Sequence, residues 1–170
     1  MLFRSATPTV PDGAYNSYFD INNNHEAGYT QPYTYTFNSA GVFNISSVSY
    51  YVRGGNLSPL FGKYVEAKII INDKPIFAAT VGANAYDETN PQTGDVTIAI
   101  SANLQTDCKL MYYYGSDKSK AVEYDNTNPI VLHETTTLNA FVRYTSTSGP
   151  TVTYDSEPVS QTYTVNQEVN

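Results

Sequence analysis

Tryptophan is absent from this 170-residue chain, cysteine occurs once and histidine twice. Each scarcity excludes something. The lone cysteine, Cys108, cannot form an internal disulfide, which is unusual for a secreted domain and ordinary for one folded in a reducing cytosol. Charged residues make up 15% of the chain, against about 25% in an average domain. Lys and Arg number 9 against 16 Asp and Glu, a net charge of −7. So acidic a chain, with its basic residues scattered, has no basic stripe to neutralise phosphates, and nucleic acid is excluded as a partner. No apolar run approaches the ~20 residues a membrane-spanning helix needs, so no membrane partner is expected. Gly-x-Ser-x-Gly, His-x-His and His-Glu-x-x-His do not occur, so the common hydrolase and zinc signatures are missing.

What is present reads as β structure. Hydrophobic residues make up 41%, with 16 Tyr and 7 Phe, too many for a disordered chain. Turn-forming Asn, Gly, Pro, Asp and Ser interrupt the sequence at the short spacing of an all-β sandwich or barrel. Period-two alternation marks strands at Tyr33, Tyr35 and Phe37; at Val48, Tyr50 and Val52; and at Val65, Ala67, Ile69 and Ile71. Asn72-Asp73-Lys74 then precedes Pro75 to Val81, which reads as a hairpin on a short polar loop. Residues 83–94 are polar and turn-rich and read as the domain boundary, or at least a long crossover. Beyond them Val96, Ile98 and Ile100 alternate, then Leu110, Tyr112 and Tyr114, Ile130 and Leu132, Leu138, Ala140 and Val142, and Tyr163 and Val165. The stretch 12–28 is the least strand-like, yet too polar for an apolar helical face. The expected fold class is all-β, with two β-sandwich domains. Residues 1–85 form the first, jelly-roll-like or another antiparallel sandwich, with an extended arm over 1–12. Residues 92–170 form the second, immunoglobulin-like.

The C-terminal half also resembles a known module. The run from Asn128 to Val142 carries Pro129-Ile130, Leu132, Glu134-Thr135-Thr136-Thr137-Leu138 and Ala140. Ser156-Glu157, Val159 and Thr162-Tyr163-Thr164-Val165 follow in a final strand, and Tyr112-Tyr113-Tyr114-Gly115-Ser116-Asp117 stands at a hairpin. In order and spacing these residues, within about 93–166, resemble the chitobiase/hexosaminidase C-terminal-type domain. The Asp-Gly-Ser-x-Pro turn of that family is replaced here by Gly115-Ser116-Asp117-Lys118. The resemblance implies an immunoglobulin-like or fibronectin-type sandwich without catalytic residues, and it transfers no site residues.

Candidate chemistry is thin. His25 lies in an Asn-rich run that reads as a loop, and His133 should point to solvent beside Leu132. Asp20-Ile21-Asn22-Asn23-Asn24-His25 imitates the start of a calcium loop, but His25 and Gln31 stand where that loop needs Gly and Glu. Cys108 has no histidine near it in sequence to activate a thiolate and reads as a small residue at a strand start. Gly54-Gly55 lacks the Lys and helix of a phosphate loop. Asn44-Ile45-Ser46 and Asn56-Leu57-Ser58 match the glycosylation pattern, but Met1 to Pro8 does not read as an export signal. No catalytic, metal or cofactor site is expected.

Tyrosines do stand on both faces of their strands, at Tyr50-Tyr51 and Tyr112-Tyr113-Tyr114. One face packs and the other must meet something, and Tyr suits interfaces because it buries area while keeping a polar tip. Tyr51 and Tyr113, with Leu2, Phe3 and Arg4 of the arm, are therefore the expected partner-binding residues. The composition suits an extracellular surface protein, while the single cysteine and the start suit cytosolic folding. Those two expectations meet in a non-enzymatic tailed-phage virion protein, a capsid decoration or head-fibre component. It would fold in the host cytoplasm, contact other capsid or fibre subunits as a homo-oligomer or array, and face outward on the virion surface, where a host glycan is a further candidate partner. The alternative is a carbohydrate-binding or adhesin module of a bacterial surface protein.

Overall fold

β-Branched and aromatic residues at every second position favour extended backbone, because their side chains pack well on a pleated, half-buried surface. The computed structural model describes residues 16–22, 24–26, 36–51, 60–61, 65–147 and 149–167. It is all-β, built from three antiparallel sheets. The chain divides into two compact units between Ile71 and Asn72.

The N-terminal unit contains β1 (Asn16–Ile21), β2 (Asn24–Glu26), β3 (Gly41–Tyr51), β4 (Leu60–Phe61) and β5 (Val65–Ile71). They form one five-stranded antiparallel sheet around the long β3, which pairs with β1 on one edge and with β5 and β4 on the other. Strands thus occupy the stretch that looked least strand-like. Adjacent Tyr18 and Phe19 in β1 and the brevity of β2 hid them, because neither shows a period-two pattern. Asn22 adopts φ +50°, a conformation Asn tolerates better than most residues. Its backbone N–H donates to Asn44 O at 2.9 Å, and its Oδ1 accepts from Asn44 N–H at 2.8 Å, locking the hairpin tip to β3. The calcium-loop mimic is this β-turn, and His25 stands on β2 opposite Asp20. Phe37, expected in a strand, lies outside any strand but is buried with Ile21, Ile45 and Ile71. Residues 33–35, Val52 and the Gly54-Gly55 turn lie outside the described residues.

The C-terminal unit is a β-sandwich. One sheet has the order β11-β8-β6-β7, from β6 (Ile76–Val81), β7 (Asn84–Ala85), β8 (Val96–Ser101) and β11 (Ile130–Leu132). The other has the order β10-β9-β12-β13, from β9 (Cys108–Tyr114), β10 (Val122–Glu123), β12 (Thr136–Thr145) and β13 (Thr153–Asp155). β14 (Val159–Tyr163) continues the same edge as β13. Strands thus alternate along the chain between two antiparallel sheets. Inward residues of both sheets interdigitate, with Val96, Ile98, Leu138 and Tyr163 fully buried. Each contributes about 1.5–3 kcal/mol through removal from water. Where β13 passes to β14, Ser156 repairs the ladder: its N–H donates to Val142 O at 2.8 Å, and its Oγ accepts from Val142 N–H at 3.0 Å.

Two sequence expectations are corrected here. Val65–Ile71 and Ile76–Val81 are not a hairpin. The first pairs with β3, Ile71 opposite Gly41, and the second with β8, Val81 opposite Val96. The polar residues between them belong to the C-terminal unit: Asn72 Oδ1 accepts from Gln105 N–H at 2.9 Å, and Asn72 Nδ2 donates to Cys108 Sγ at 3.4 Å. Nor do residues 83–94 separate the units. They are stitched to the chain's end, with Thr164 N–H donating to Tyr86 Oη at 2.9 Å, Gly94 N–H to Asn166 O at 2.8 Å, and Asn166 Nδ2 to Pro91 O at 2.8 Å. Turn residues mark where a chain bends; they carry no information about which strands pair across the bend.

Candidate interaction surfaces

The two outer faces of the C-terminal sandwich differ. On the β10-β9-β12-β13 sheet, the outward positions include Met111 and Tyr113 of β9 and Asn139, Phe141 and Arg143 of β12. Residues 115–121 fold over this face. Gly115 opens the turn at φ +63°, where glycine carries no Cβ penalty. Its N–H donates to Thr137 O at 2.8 Å, and its carbonyl accepts from Asn139 Nδ2 at 2.6 Å. Asn139 Oδ1 in turn accepts from the Ser160 hydroxyl. Asp117 then caps a short 3-10 turn, Lys118–Lys120, by accepting from Ser119 N–H at 3.1 Å. Lys118 Nζ sits 4.3 Å above the Phe141 ring and 3.2 Å from Asp155, while Arg143 stacks at 5.3 Å from the same ring. Arg143 also grips Asp155 with two hydrogen bonds of 2.8 and 3.0 Å. These donors hold the Asp155 carboxyl below its ordinary range, the Arg143 hydrogen bond foremost.

Tyr113, expected as a partner-binding residue, lies under this loop. It is 7% exposed and packs against Met111, Phe141 and Ala121 beneath the chain's own strap. The alternation correctly set it on the face away from the main core. What it could not show is that the following loop returns to cover that face. Tyr51 closes β3 opposite Leu60, and its side chain lies outside the described residues, as do Leu2, Phe3 and Arg4.

Among the described residues, no segment of the C-terminal unit folds over the opposite face, of β11-β8-β6-β7. Its outward residues are fixed by register: Thr80 beside Thr97, Ala78 beside Ala99, Ile76 beside Ser101, and Val131 beside Thr97. None is charged. Ile76 is 65% exposed, Val131 44%, and Ala78, Ala99 and Ser101 are exposed as well. Charge appears only at the ends. Asp95 accepts from or pairs with His133 Nδ1 at 2.9 Å just beyond Val96 and Leu132, and Lys74 precedes Ile76. The sequence reading missed this surface. Thr97, Ala99 and Ser101 were legible as the outer face of one strand, but their neighbours on β6 were assigned to another domain.

An open cleft of about 720 Å³ lies at one end of the sandwich, with Ile100 and Leu110 among its apolar residues and Leu104, Tyr124, Asp125 and Asn126 on its walls. Lys109 and Glu123 line it too, paired with each other at 2.6 Å. Half-buried Cys108 lines the cleft as well, with Asn72 as its hydrogen-bond donor. Asp87, Asp117 and Asp125 each accept from the hydroxyl and the backbone N–H of the Thr or Ser two residues on, which lowers all three carboxyls. These are turn-building bonds. Among the described residues no group of three or more His, Cys, Asp or Glu could hold a metal ion.

No protein-family model, curated protein or solved structure matches the chain. The resemblance of residues 93–166 to the chitobiase/hexosaminidase C-terminal-type domain accordingly rests on the three segments that suggest it.

Proposed function

We propose that this chain is a non-enzymatic structural β protein that works by docking, and that its setting is a tailed-phage virion, as a capsid decoration or head-fibre component. The observation that carries the docking reading is the bare, uncharged sheet face around Ala78 and Ala99. An antiparallel sheet with one solvated face ordinarily alternates apolar-in with polar-out. Here the outward positions are Ile, Val, Ala, Thr and Ser, in a chain of net charge −7. A contiguous apolar surface of this kind marks an interaction site. The ionisable groups support the same reading. Among the described residues every shifted carboxylate is lowered and tied into a turn or an Arg–Lys clamp, whereas a general acid needs its pKa raised. The virion setting is supported by surface-protein composition combined with a single cysteine that serves as a hydrogen-bond acceptor.

Mass spectrometry of purified particles from a culture encoding this sequence tests the setting. The chain is expected at stoichiometric levels beside the capsid or fibre proteins. Recovery only with the bacterial envelope sinks the virion assignment in favour of a surface adhesin. The cleft beside Tyr124 favours that second reading to the extent that it binds sugar, which a glycan array measures directly.

A further inference from the structure

We infer that the bare face of the β11-β8-β6-β7 sheet receives a second copy of this chain, stacked face to face about a two-fold axis with the strands antiparallel. This rests on the docking reading and names its partner. Three features of the face point to its own copy. First, it carries both parts of a complementary relief. Ile76 and Val131 project at its margins, and Ala78 and Ala99 leave a shallow centre. A two-fold interface is self-complementary by construction, so projection and hollow on one patch fit each other. Second, two chains of net charge −7 repel, and this face has no charged residue within its strands. Third, its two ends have opposite charge. Lys74 stands before Ile76, and Asp95 stands before Val96, opposite Gly82 in the continued register. The eight steps from residue 74 to residue 82 span about 27 Å along the strand. Antiparallel stacking lays Lys74 of one copy near Asp95 of the other at both ends. Parallel stacking would set like against like.

The size of the face sets the strength. Three strands about 4.8 Å apart and six residues at about 3.4 Å give about 290 Å² in projection. A standard stable interface buries about 800 Å² per partner. Association is therefore weak in solution and becomes effective where neighbours are held in an array, through raised local concentration.

Sedimentation velocity of the full chain from micromolar to about millimolar concentration tests the inference, with thermal unfolding of every variant as a check on folding. The wild type is expected in monomer–dimer equilibrium. Ile76→Lys and Ala99→Arg, both at exposed positions, are expected to weaken the dimer at least tenfold, and Val122→Lys on the other sheet to leave it unchanged. Lys74→Asp is expected to weaken it, and Lys74→Asp combined with Asp95→Lys to restore it. A wild type that stays monomeric throughout overturns the inference. So does a dimer indifferent to Ile76→Lys and Ala99→Arg, or a charge exchange that fails to rescue in a folded double variant. The two readings separate cleanly. A chain found in particles with a different protein on this face keeps docking and discards the self-contact, whereas a solution dimer absent from particles keeps the self-contact and discards the virion setting.

Discussion

Asn139 is the buried polar residue of the C-terminal sandwich, and replacing it tests how the strap is held. Its side chain is satisfied at both ends, Nδ2 donating to Gly115 O at 2.6 Å and Oδ1 accepting from Ser160. Asn139→Ala removes both bonds and leaves the Gly115 carbonyl and the Ser160 hydroxyl to find other partners. Each lost bond costs about 0.5–1.5 kcal/mol, and a group left buried and unpaired about 1–3 kcal/mol more. The strap is near the surface, so water can reach one of the two groups, and a total of about 2–3 kcal/mol is expected. A unit of about 100 residues loses about 4–8 °C in Tm per kcal/mol, so its melting transition should fall by about 10–20 °C. Calorimetry reads this directly. Hydrogen exchange supplies the location: Gly115 N–H, bonded to Thr137 O, should lose protection before the core strands do. A shift below about 2 °C, or uniform loss of protection across the sandwich, would show that the strap does not depend on Asn139.

Tyr163 makes the opposite case. Its ring is fully buried, and its hydroxyl has no hydrogen-bond partner among the described residues, so Tyr163→Phe should leave stability within about 0.5 kcal/mol or raise it. Burial, with Tyr86 beside it, pushes its pKa up to about 12. A raised folded pKa means stability held below pH 10 and lost as pH climbs from 10 through 12, so alkaline unfolding should coincide with a late tyrosinate absorbance step that Tyr163→Phe removes. Asp155 has a lowered pKa, so its contribution is present above the ordinary carboxylate range and lost as pH falls through the folded value. Asp155→Asn should flatten that acid limb in urea titrations while loosening Lys118 over Phe141. Asn72→Ala removes the donor to Cys108 and the anchor of Gln105, and should raise the rate of thiol labelling by a disulfide reagent several-fold, an effect absent if the 105–108 turn holds itself.

The strands that define the sandwich were legible because their inward residues share one periodicity from end to end. Val96, Ile98 and Ile100, Ile130 and Leu132, and Leu138, Ala140 and Val142 are all buried, and their alternation reveals which side faces in. The all-β class followed from the same local preference for extended backbone, and Cys108 and His133 stand where a local reading set them, at a strand start and in solvent. β1 was not legible, since adjacent Tyr18 and Phe19 break any period-two pattern and its place comes from pairing with β3.

Period and composition are properties of neighbours in sequence, and they suffice for strand existence and inward facing. Pairing is a property of residues far apart. Ile76–Val81 joins β8 and not the adjacent Val65–Ile71, because buried apolar area and a complete ladder outweigh the short loop. Whether an outward face stays bare is decided the same way. Tyr113 and Ala99 both point away from the sandwich core, yet a loop anchored by Asn139 returns over one and nothing among the described residues returns over the other. Only the tertiary structure could separate them, because the covering segment and the covered face meet through contacts that no local pattern encodes.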